Sequence, residues 1–341
     1  ENKKGDLVAT YFGGTKERNP DVCIWVSRKP KGSSEWLAPQ LVADGVFKTG
    51  SDEARLAGLS GIDSTTTAAD KGPIIDPVAR KNPAAYQRKA CWNPVVYQLP
   101  DGRMELDFKI GTVVADWTGW RIFSKDGGKT WSKRENLSPK ATSGDNQLLG
   151  PVKNKPIINK GRIIAPTSIE KGGWRLFFEL SDDGGKTWQR TDYVESEKNE
   201  LAIQPTILVH PDGRLQALAR TRNRQVATTF SSDNGKTWSK LQMTDVPNNN
   251  SGLDAVTLKD GGFVMICNDW PIEPDKQKGA RTPLSLLRSN DGIHWTHWIT
   301  LEDSPVSQYS YPSIIQTSDG HLHCIYTWRR QRVKHVEVSV E

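Results

Sequence analysis

The 341-residue sequence lacks long apolar runs, and it contains only three methionines and four cysteines. No apolar stretch approaches the roughly 18 residues that a membrane-spanning helix requires, so we expect no membrane span. The cysteines (Cys23, Cys91, Cys267 and Cys324) have no CxxC spacing, so we expect no zinc site. Cys23, Cys267 and Cys324 lie in apolar, strand-like runs that are typical of small buried side chains.

Charge of one sign is not concentrated anywhere along the chain. The sequence has 46 basic and 40 acidic residues, which leaves a net charge of +6. A nucleic-acid-binding surface requires a basic stripe with aromatic residues between the charges, and no such run is present. We therefore expect no nucleic-acid partner, whereas an anionic substrate is compatible with the mild positive excess.

Tryptophan, glycine and proline are abundant instead, with 13, 29 and 20 residues. This composition favours many short strands joined by turns. A Ser-x-Asp-x-Gly-x-x-Trp motif recurs around Asp126, Asp183 and Asp233, with a shortened form at Asp291 and a degenerate form over Ser27–Trp36. In such a motif the Asp and Gly form a tight turn and the Trp packs between neighbouring sheets. We interpret these aspartates as structural rather than catalytic.

A second repeat alternates with the first. Six glycine-containing turns are flanked by residues of alternating polarity, which is typical of β-hairpins; they lie at Gly5, Gly102, Gly161, Gly213, Gly261 and Gly320. Each hairpin is followed by a third strand and a turn motif, which gives six units of about four strands. The sequence therefore predicts an all-β fold, a six-bladed β-propeller of four-stranded antiparallel blades.

The two ends of the repeat and one long gap deviate from this plan. The first unit begins at its second strand, Leu7-Val-Ala-Thr-Tyr-Phe12, so we predict that its inner strand lies upstream of residue 1. The last unit ends on its third strand. We expect one domain over residues 1–341, with an insertion over 46–90 that includes a short helix near Asp52–Leu56. The insertion either shapes a binding site or is a surface loop.

The recurring turn motifs resemble the Asp boxes of sialidases (neuraminidases). Further stretches resemble the branch described as predicted neuraminidases or BNR-repeat proteins: Tyr11–Val22, Trp92-Asn-Pro-Val95, Gly150–Pro156, Asn250–Asp254 and Tyr311-Pro-Ser-Ile314. The resemblance covers nearly the whole chain. It implies an Asp-box propeller and an exo-acting glycosidase that removes a terminal acidic sugar from a glycan or polysaccharide.

In this family a tyrosine with a glutamate partner is the nucleophile, and three arginines bind the substrate carboxylate. By resemblance, Tyr311 is the nucleophile, Arg220 the second arginine and Arg281 the third. Glu17 lies where sialidases hold the acid/base, and its neighbour Asp21 is the alternative.

The sequence departs from the family pattern at two positions. The first arginine would lie on the strand upstream of residue 1, where this branch is expected to carry a histidine-containing strand. The glutamate partner of the tyrosine is not in its usual place, because Ala202 stands near it with Glu200 and Gln204 beside it. Glu170 is a further candidate for that carboxylate.

Other polar residues interrupt apolar runs and are candidates for substrate binding. They are Lys109, Lys153, Asn154, Lys155, Gln204, Asn250 and Asp254. Alternation along a strand places Lys153 and Lys155 on one face, either as ligands of an anion or as exposed edge lysines. Asn250 and Asp254 suit a binding loop or simple turn chemistry, and Tyr311 could instead be a core residue.

Three functions are compatible with these residues. The first is a sialidase-like hydrolase, the second a polysaccharide lyase or rhamnosidase-type enzyme acting on uronate-containing glycans, and the third a carbohydrate-binding propeller without chemistry. We expect a monomer that is secreted, periplasmic or at the cell surface, with no cofactor. His321 and His323 share one strand face but have no third ligand nearby in sequence, so we expect no metal.

Overall fold

The computed structural model describes residues 1–59, 67–68, 72–138, 147–198 and 201–340. Glu200, one of the candidate carboxylates, lies outside the described residues. The chain divides into two compact units, residues 1–153 and 154–341. In the described part of the chain, no helix is long and apolar enough to span a membrane.

The first unit contains two blade-like sheets and a small ribbon. Blade 1 has three strands, β1 Leu7–Gly13, β2 Cys23–Lys29 and β3 Gln40–Ala43. Blade 2 has four, β6 Ala90–Gln98, β7 Met104–Gly111, β8 Thr118–Ser124 and β9 Glu135–Asn136. The ribbon between them pairs β4 Val46–Lys48 with β5 Tyr86–Arg88.

The second unit contains four sheets. Blade 3 consists of β10 Ile157–Asn159, β11 Arg162–Ile169, β12 Arg175–Ser181 and β13 Gln189–Arg190, and blade 4 of β14 Ala202–Val209, β15 Leu215–Thr221, β16 Gln225–Ser231 and β17 Gln242–Pro247. Blade 5 consists of β18 Asp254–Thr257, β19 Phe263–Cys267, β20 Leu284–Ser289 and β21 Thr296–Glu302. Blade 6 has three strands, β22 Tyr309–Gln316, β23 Leu322–Trp328 and β24 Arg332–Val338. Strands follow chain order within every sheet and pair antiparallel with their neighbours. Six such sheets confirm the predicted all-β, six-bladed propeller class.

The hairpin glycines have the backbone conformation that the turns require. All six have φ between 80° and 96°, a left-handed region that a residue with a β-carbon enters only at a cost. Five of the predicted hairpins are confirmed by paired antiparallel strands on both sides of the turn, at Gly102, Gly161, Gly213, Gly261 and Gly320. Gly5 precedes β1, and no strand lies before it in the described residues.

The recurring turn motif is a closed set of hydrogen bonds. In the turn at Asp233, Ser231 Oγ donates to Asp233 Oδ1 at 2.8 Å, and the backbone N–H of Thr237 donates to the same oxygen at 2.9 Å. Thr237 Oγ1 donates to the second oxygen at 2.7 Å. The turns at Asp126 and Asp183 repeat these bonds. The carboxylates bind their own turn, as predicted for a structural role.

The tryptophan of the motif in blade 4 packs on a neighbouring blade. Trp238 of blade 4 stacks on Phe178 of blade 3, with ring centroids 3.9 Å apart and planes 14° apart. Both rings belong to the apolar cluster between these blades, which also includes Ile164, Ile207 and Ala217. Burial of each large apolar side chain stabilises the fold by about 2 kcal/mol. The motif thus joins a turn to an interface between sheets.

The insertion belongs to the first unit and packs against blades 1 and 2. Helix α1, Asp52–Leu56, has the predicted position, and Ser51 caps it by accepting a bond from the N–H of Ala54. A second short helix, α2 Pro77–Lys81, begins after Asp76, whose side chain accepts from the N–H of Val78, and a single 3-10 turn follows at Pro83–Ala85. Ala54 and Ala57 are buried in the cluster shared by blades 1 and 2.

The four cysteines are buried free thiols. Burial raises the pKa of the Cys23 and Cys324 thiols to about 12. The prediction that Cys23, Cys267 and Cys324 are small core side chains is confirmed.

Candidate functional site

Three inner strands share one irregularity, a bulge at an X-Pro pair. The pairs are Asn93-Pro94 in β6, Gln204-Pro205 in β14 and Tyr311-Pro312 in β22. In each case two residues of the inner strand face a single residue of the second strand, and the residue before proline has φ of 40°, 56° or 52°. Bulges redirect side chains, and left-handed residues other than glycine concentrate at functional sites.

The remaining two inner strands carry a left-handed polar residue just before they begin. Lys153 has φ of 75° and precedes β10, and Asn250 has φ of 63° and precedes β18. Blades 2 to 6 therefore each place one left-handed polar residue at the start of the inner strand. Four of these five were predicted site residues. Asn93 was not, although a proline inside a strand-like run could have indicated it.

Arg220, Arg281 and Tyr311 lie together in the second unit. The Arg220 guanidinium donates from Nε and Nη2 to Asn250 Oδ1, at 3.1 and 3.0 Å, and from Nη1 to Gln204 Oε1 at 3.3 Å. It also hydrogen-bonds Tyr311. The Arg281 guanidinium lies over the Tyr311 ring, 4.8 Å from its centroid. We call these five residues the arginine–tyrosine cluster.

The electrostatics of this cluster favour an anion. Burial lowers the pKa of the Arg220 guanidinium, and the neighbouring Arg281 lowers it further, whereas Tyr311 and Glu170 act in the opposite direction. An arginine stays charged under all physiological conditions, so the two guanidiniums hold two positive charges close together. Their planar donors match a carboxylate, which would relieve this repulsion.

Trp174 and Glu170 flank Arg220. They lie in the connection between β11 and β12, and Trp174 Nε1 donates to Glu170 Oε2 at 3.0 Å. The Arg220 guanidinium lies 5.1 Å from the Trp174 ring centroid. The structure thus brings Glu170, one of the predicted carboxylates, into the surroundings of Arg220. Trp174 was not predicted; its signal is a tryptophan outside the repeated motif, directly after a Gly-Gly turn.

Lys155 and Asp254 pair with each other rather than point apart. Lys155 Nζ donates to both carboxylate oxygens of Asp254, at 3.0 and 2.9 Å. Asp254 is fully buried and also accepts from Thr206 Oγ1 at 2.7 Å and from the N–H of Ile314 at 2.9 Å. One carboxylate therefore connects the inner strands of blades 4, 5 and 6 with Lys155, which precedes β10.

Asn154 holds the bulge that carries Gln204. Its Nδ2 donates to the carbonyl oxygens of Gln204 and Pro205, at 2.9 and 3.1 Å, and the side chain is almost fully buried. Asn154 therefore supports the backbone that aims Gln204 at Arg220.

Glu17 and Asp21 lie in the first unit, in the loop between β1 and β2. Asp21 accepts from the N–H of Thr15 at 2.6 Å and from Thr15 Oγ1 at 3.1 Å, which closes the loop. Glu17 is half-buried. The insertion approaches this loop closely, because a β-carbon on Gly72 would lie 2.6 Å from the Asp21 β-carbon.

Lys109 belongs to a buried polar row in blade 2. It is fully buried and donates from Nζ to the Pro151 carbonyl at 2.8 Å. Glu105 and Asp107 lie on the same face of β7, and Arg121 of the neighbouring strand β8 pairs with them at 3.0 and 3.4 Å, respectively. Burial, followed by the charge of Asp107, raises the pKa of the Glu105 carboxyl to about 8.

His323, one of the two histidines that share a strand face, contacts a third histidine on the neighbouring strand β24. His323 Nδ1 lies 2.9 Å from His335 Nε2, and the two rings stack. In the described ranges, no group of three or more His, Cys, Asp or Glu side chains is arranged to hold a metal ion.

Comparisons with known proteins agree with this architecture. The chain is 27% identical to an anhydrosialidase from Macrobdella decora over 234 residues, which cover 62% of the chain and 30% of that protein. It is 28% identical to a sialidase from Clostridium perfringens over 174 residues, 42% of the chain and 44% of that protein. The aligned parts thus span less than half of these two curated relatives.

Among solved structures, the intramolecular trans-sialidase from Ruminococcus gnavus superposes with a TM-score of 0.68 at 15% identity, over 99% of this chain and 92% of that chain. This likeness concerns the fold. The model of the BNR repeat-like domain matches residues 5–57 and 75–324. Since that match covers most of the sequence, the chain belongs to the BNR repeat-like domain family.

Proposed function

We propose that this protein is an exo-acting, sialidase-like glycosidase that removes a terminal acidic sugar from a glycan. The observation that carries the proposal is the arginine–tyrosine cluster, in which Arg220 and Arg281 flank Tyr311. Two guanidiniums suit the carboxylate of a sialic acid or a related sugar. The sialidase relatives support the same substrate class.

The reaction follows from the charges at this cluster. Arg220 and Arg281 bind the sugar carboxylate, and the Tyr311 hydroxyl attacks the anomeric carbon. A phenol that is neutral until it loses its proton approaches an anionic sugar with less repulsion than a carboxylate would. Glu170, close enough to Arg220 to influence its charge, is our candidate acceptor of the phenolic proton.

Proton balance requires a donor to the leaving group. As the glycosidic C–O bond breaks, the departing oxygen takes a proton, which the sequence resemblance assigns to Glu17 or Asp21. Water then attacks the anomeric carbon and gives one proton to the deprotonated Glu17 or Asp21, while the Tyr311 oxygen leaves the sugar and takes back its proton from Glu170. The Glu17→Gln and Asp21→Asn variants test which residue is the donor.

The test is hydrolysis of a fluorogenic aryl α-sialoside. Tyr311→Phe should lower kcat/KM by about 10³-fold or more while leaving the melting temperature nearly unchanged. Tyr193→Phe is the matched control, because Tyr193 packs edge-on against Phe177 in blade 3 and should keep full activity. Full activity of Tyr311→Phe on a sialoside that the wild type cleaves would refute the assignment. Ultraviolet absorbance of an unsaturated product would instead indicate a lyase.

A second candidate is intramolecular transfer, favoured by the anhydrosialidase relative and by the trans-sialidase of similar fold. In that case a hydroxyl of the bound sugar, rather than water, attacks the tyrosyl–sugar bond. The released sugar would then be lighter by one water molecule. Mass spectrometry of the product distinguishes the two outcomes.

We also propose that the protein acts as a monomer where glycans are exposed, as a secreted, periplasmic or cell-surface protein. This proposal rests on the substrate class alone. Fractionation of cells of the source organism, followed by light scattering of the purified protein, tests both parts.

A further inference from the structure

A cationic cavity adjoins the arginine–tyrosine cluster in the second unit. Its volume is about 550 Å³, and its polar lining consists of Arg222, Arg224, Asn250, Lys276, Gln277 and Lys278. None of the described residues that line it is acidic. We call it the rim cavity. Its lining residues lie in the connections between the second and third strands of blades 4 and 5, except for Asn250, which precedes β18.

Arg224 fixes the wall of the rim cavity. Its Nη1 donates to the carbonyls of Ile272 and Glu273, at 3.0 and 3.2 Å, and its Nη2 donates to those of Pro274 and Lys276, at 3.0 and 2.9 Å. Four bonds from one guanidinium hold the segment between β19 and β20 in place. A wall that is ordered in advance spares a ligand part of the ordering cost.

The other three cations supply charge at the surface. The Arg222 guanidinium lies over the Trp174 ring, 4.2 Å from its centroid, and the Arg220 guanidinium lies near the same ring. Lys276 pairs with Glu273 at 2.5 Å, which offsets part of its charge. Lys278 is exposed. With Arg224 included, the lining holds four positive charges, of which Glu273 compensates one.

Asn250 connects the two sites. Its Oδ1 accepts two of the bonds that Arg220 donates, and the same residue lines the rim cavity. A sugar bound through its carboxylate at Arg220 would therefore have the rim cavity as its neighbour. The next group along the glycan would meet cations rather than apolar side chains.

We propose that the rim cavity binds a second anionic group of the glycan, a carboxylate or a sulfate on the unit next to the terminal acidic sugar. The proposal rests on the proposed glycosidase activity for its effect on turnover, whereas binding of the anion does not depend on catalysis. The preferred substrates are then glycans with negative charge on both sides of the cleaved bond.

The test uses two trisaccharides that differ in one group, 3′-sialyllactose and the same molecule with a sulfate on its galactose. We expect wild-type kcat/KM to be about fivefold higher for the sulfated substrate at low salt, mainly through KM, and the preference to shrink at high salt. In Lys276→Gln/Lys278→Gln the preference should fall to nearly one, with turnover of unsulfated sialyllactose unchanged.

The matched control is Lys186→Gln/Lys236→Gln, which removes two exposed lysines from the turn motifs of blades 3 and 4 and should keep the preference. Equal kcat/KM for both substrates in the wild type would overturn the proposal, and so would a preference that survives in Lys276→Gln/Lys278→Gln. If neither trisaccharide is cleaved, the proposed activity fails on this substrate class, and calorimetric titration with both molecules decides the rim cavity separately. If the wild type binds the sulfated molecule more tightly and the double variant does not, the proposed anion site in the rim cavity is supported. Equal affinities of the wild type for the two molecules refute that site.

Discussion

The two ends of each blade differ in what the repeat preserves. At the end that carries the turn motif, blades 2, 3 and 4 keep the same side chains and the same hydrogen bonds around Asp126, Asp183 and Asp233. At the start of the inner strands, blades 2 to 6 keep only a left-handed backbone. The side chains there differ, and they are Asn93, Lys153, Gln204, Asn250 and Tyr311.

The difference has a physical cause. In the turn motif the carboxylate binds its own turn, so the side chain is part of the fold of each blade that carries the motif. At the inner-strand start the fold requires only a backbone geometry, which leaves the side chain free to serve a site. We therefore propose that the inner-strand start, with its repeated backbone and varied side chains, is the end of the blade that serves the site.

Among the variants that test this comparison between the two ends, we expect the largest effect at Arg220. Arg220→Lys keeps the charge but loses the paired bonds to Asn250 and the planar match to a carboxylate. We expect kcat/KM on an aryl sialoside to fall by about 10²- to 10³-fold, with little change in the melting temperature. Arg288→Lys is the control near the turn-motif end, where Arg288 pairs with Asp260. Equal losses in the two variants would contradict the comparison.

The sequence predicted the turn-motif end of the blades more completely than the end at which the inner strands begin. The turn motif is local, so its hydrogen bonds follow from eight consecutive residues. The family resemblance predicted Arg220, Arg281 and Tyr311, which the fold brings together. The pairing of Lys155 with Asp254 could not be predicted, because the partners are 99 residues apart and their meeting depends on the order of blades. The rim cavity was missed for the same reason, as Arg224 binds carbonyls 48 to 52 residues away.

A second prediction concerns the buried ion pair of Lys155 and Asp254. Lys155→Met leaves a fully buried carboxylate without its cation and should lower the free energy of unfolding by about 3 kcal/mol. Urea unfolding at pH 7 measures this loss. The double variant Lys155→Met/Asp254→Asn should recover part of it. A loss below about 0.5 kcal/mol would show that the ion pair contributes little to stability and that Lys155 is available to bind an anion, which was one of the two interpretations of its position in the sequence.

The third prediction tests the structural role of the turn motif through pH. Although desolvation opposes the effect, hydrogen bonds from Thr237 lower the pKa of Asp233 to about 2. A carboxyl with a depressed pKa contributes stability above its unfolded pKa of about 3.9, and the contribution disappears as the pH falls towards 2. Asp233→Asn should therefore cost about 1 kcal/mol at pH 7, a value reduced by solvent exposure, and much less near pH 2. Urea unfolding at several pH values checks this, with the exposed Asp275→Asn as the control. Activity per folded molecule should not change, and a loss of turnover would assign this aspartate a role beyond the turn.

The smallest expected effects come from two left-handed residues, one at each end of blade 4. Asn234 has φ of 59° in the turn motif, where blades 2 and 3 have glycine, and Gln204 has φ of 56° at the inner-strand bulge. Replacing either by glycine relieves backbone strain of about 1 kcal/mol and adds chain entropy to the unfolded state, so stability should change by less than about 1 kcal/mol in both variants.

Their effects on activity should differ. Gln204→Gly removes the amide that accepts from Arg220 at 3.3 Å and should lower kcat/KM about tenfold, whereas Asn234→Gly should leave it unchanged. Thermal unfolding and sialoside kinetics on the same preparations measure both quantities. If both variants keep full activity, the Gln204 side chain has no role in turnover and the bulge shapes only the backbone. The proposed site would then consist of Arg220, Arg281 and Tyr311. If both lose activity equally, the two ends are coupled and the separation between scaffold and site fails.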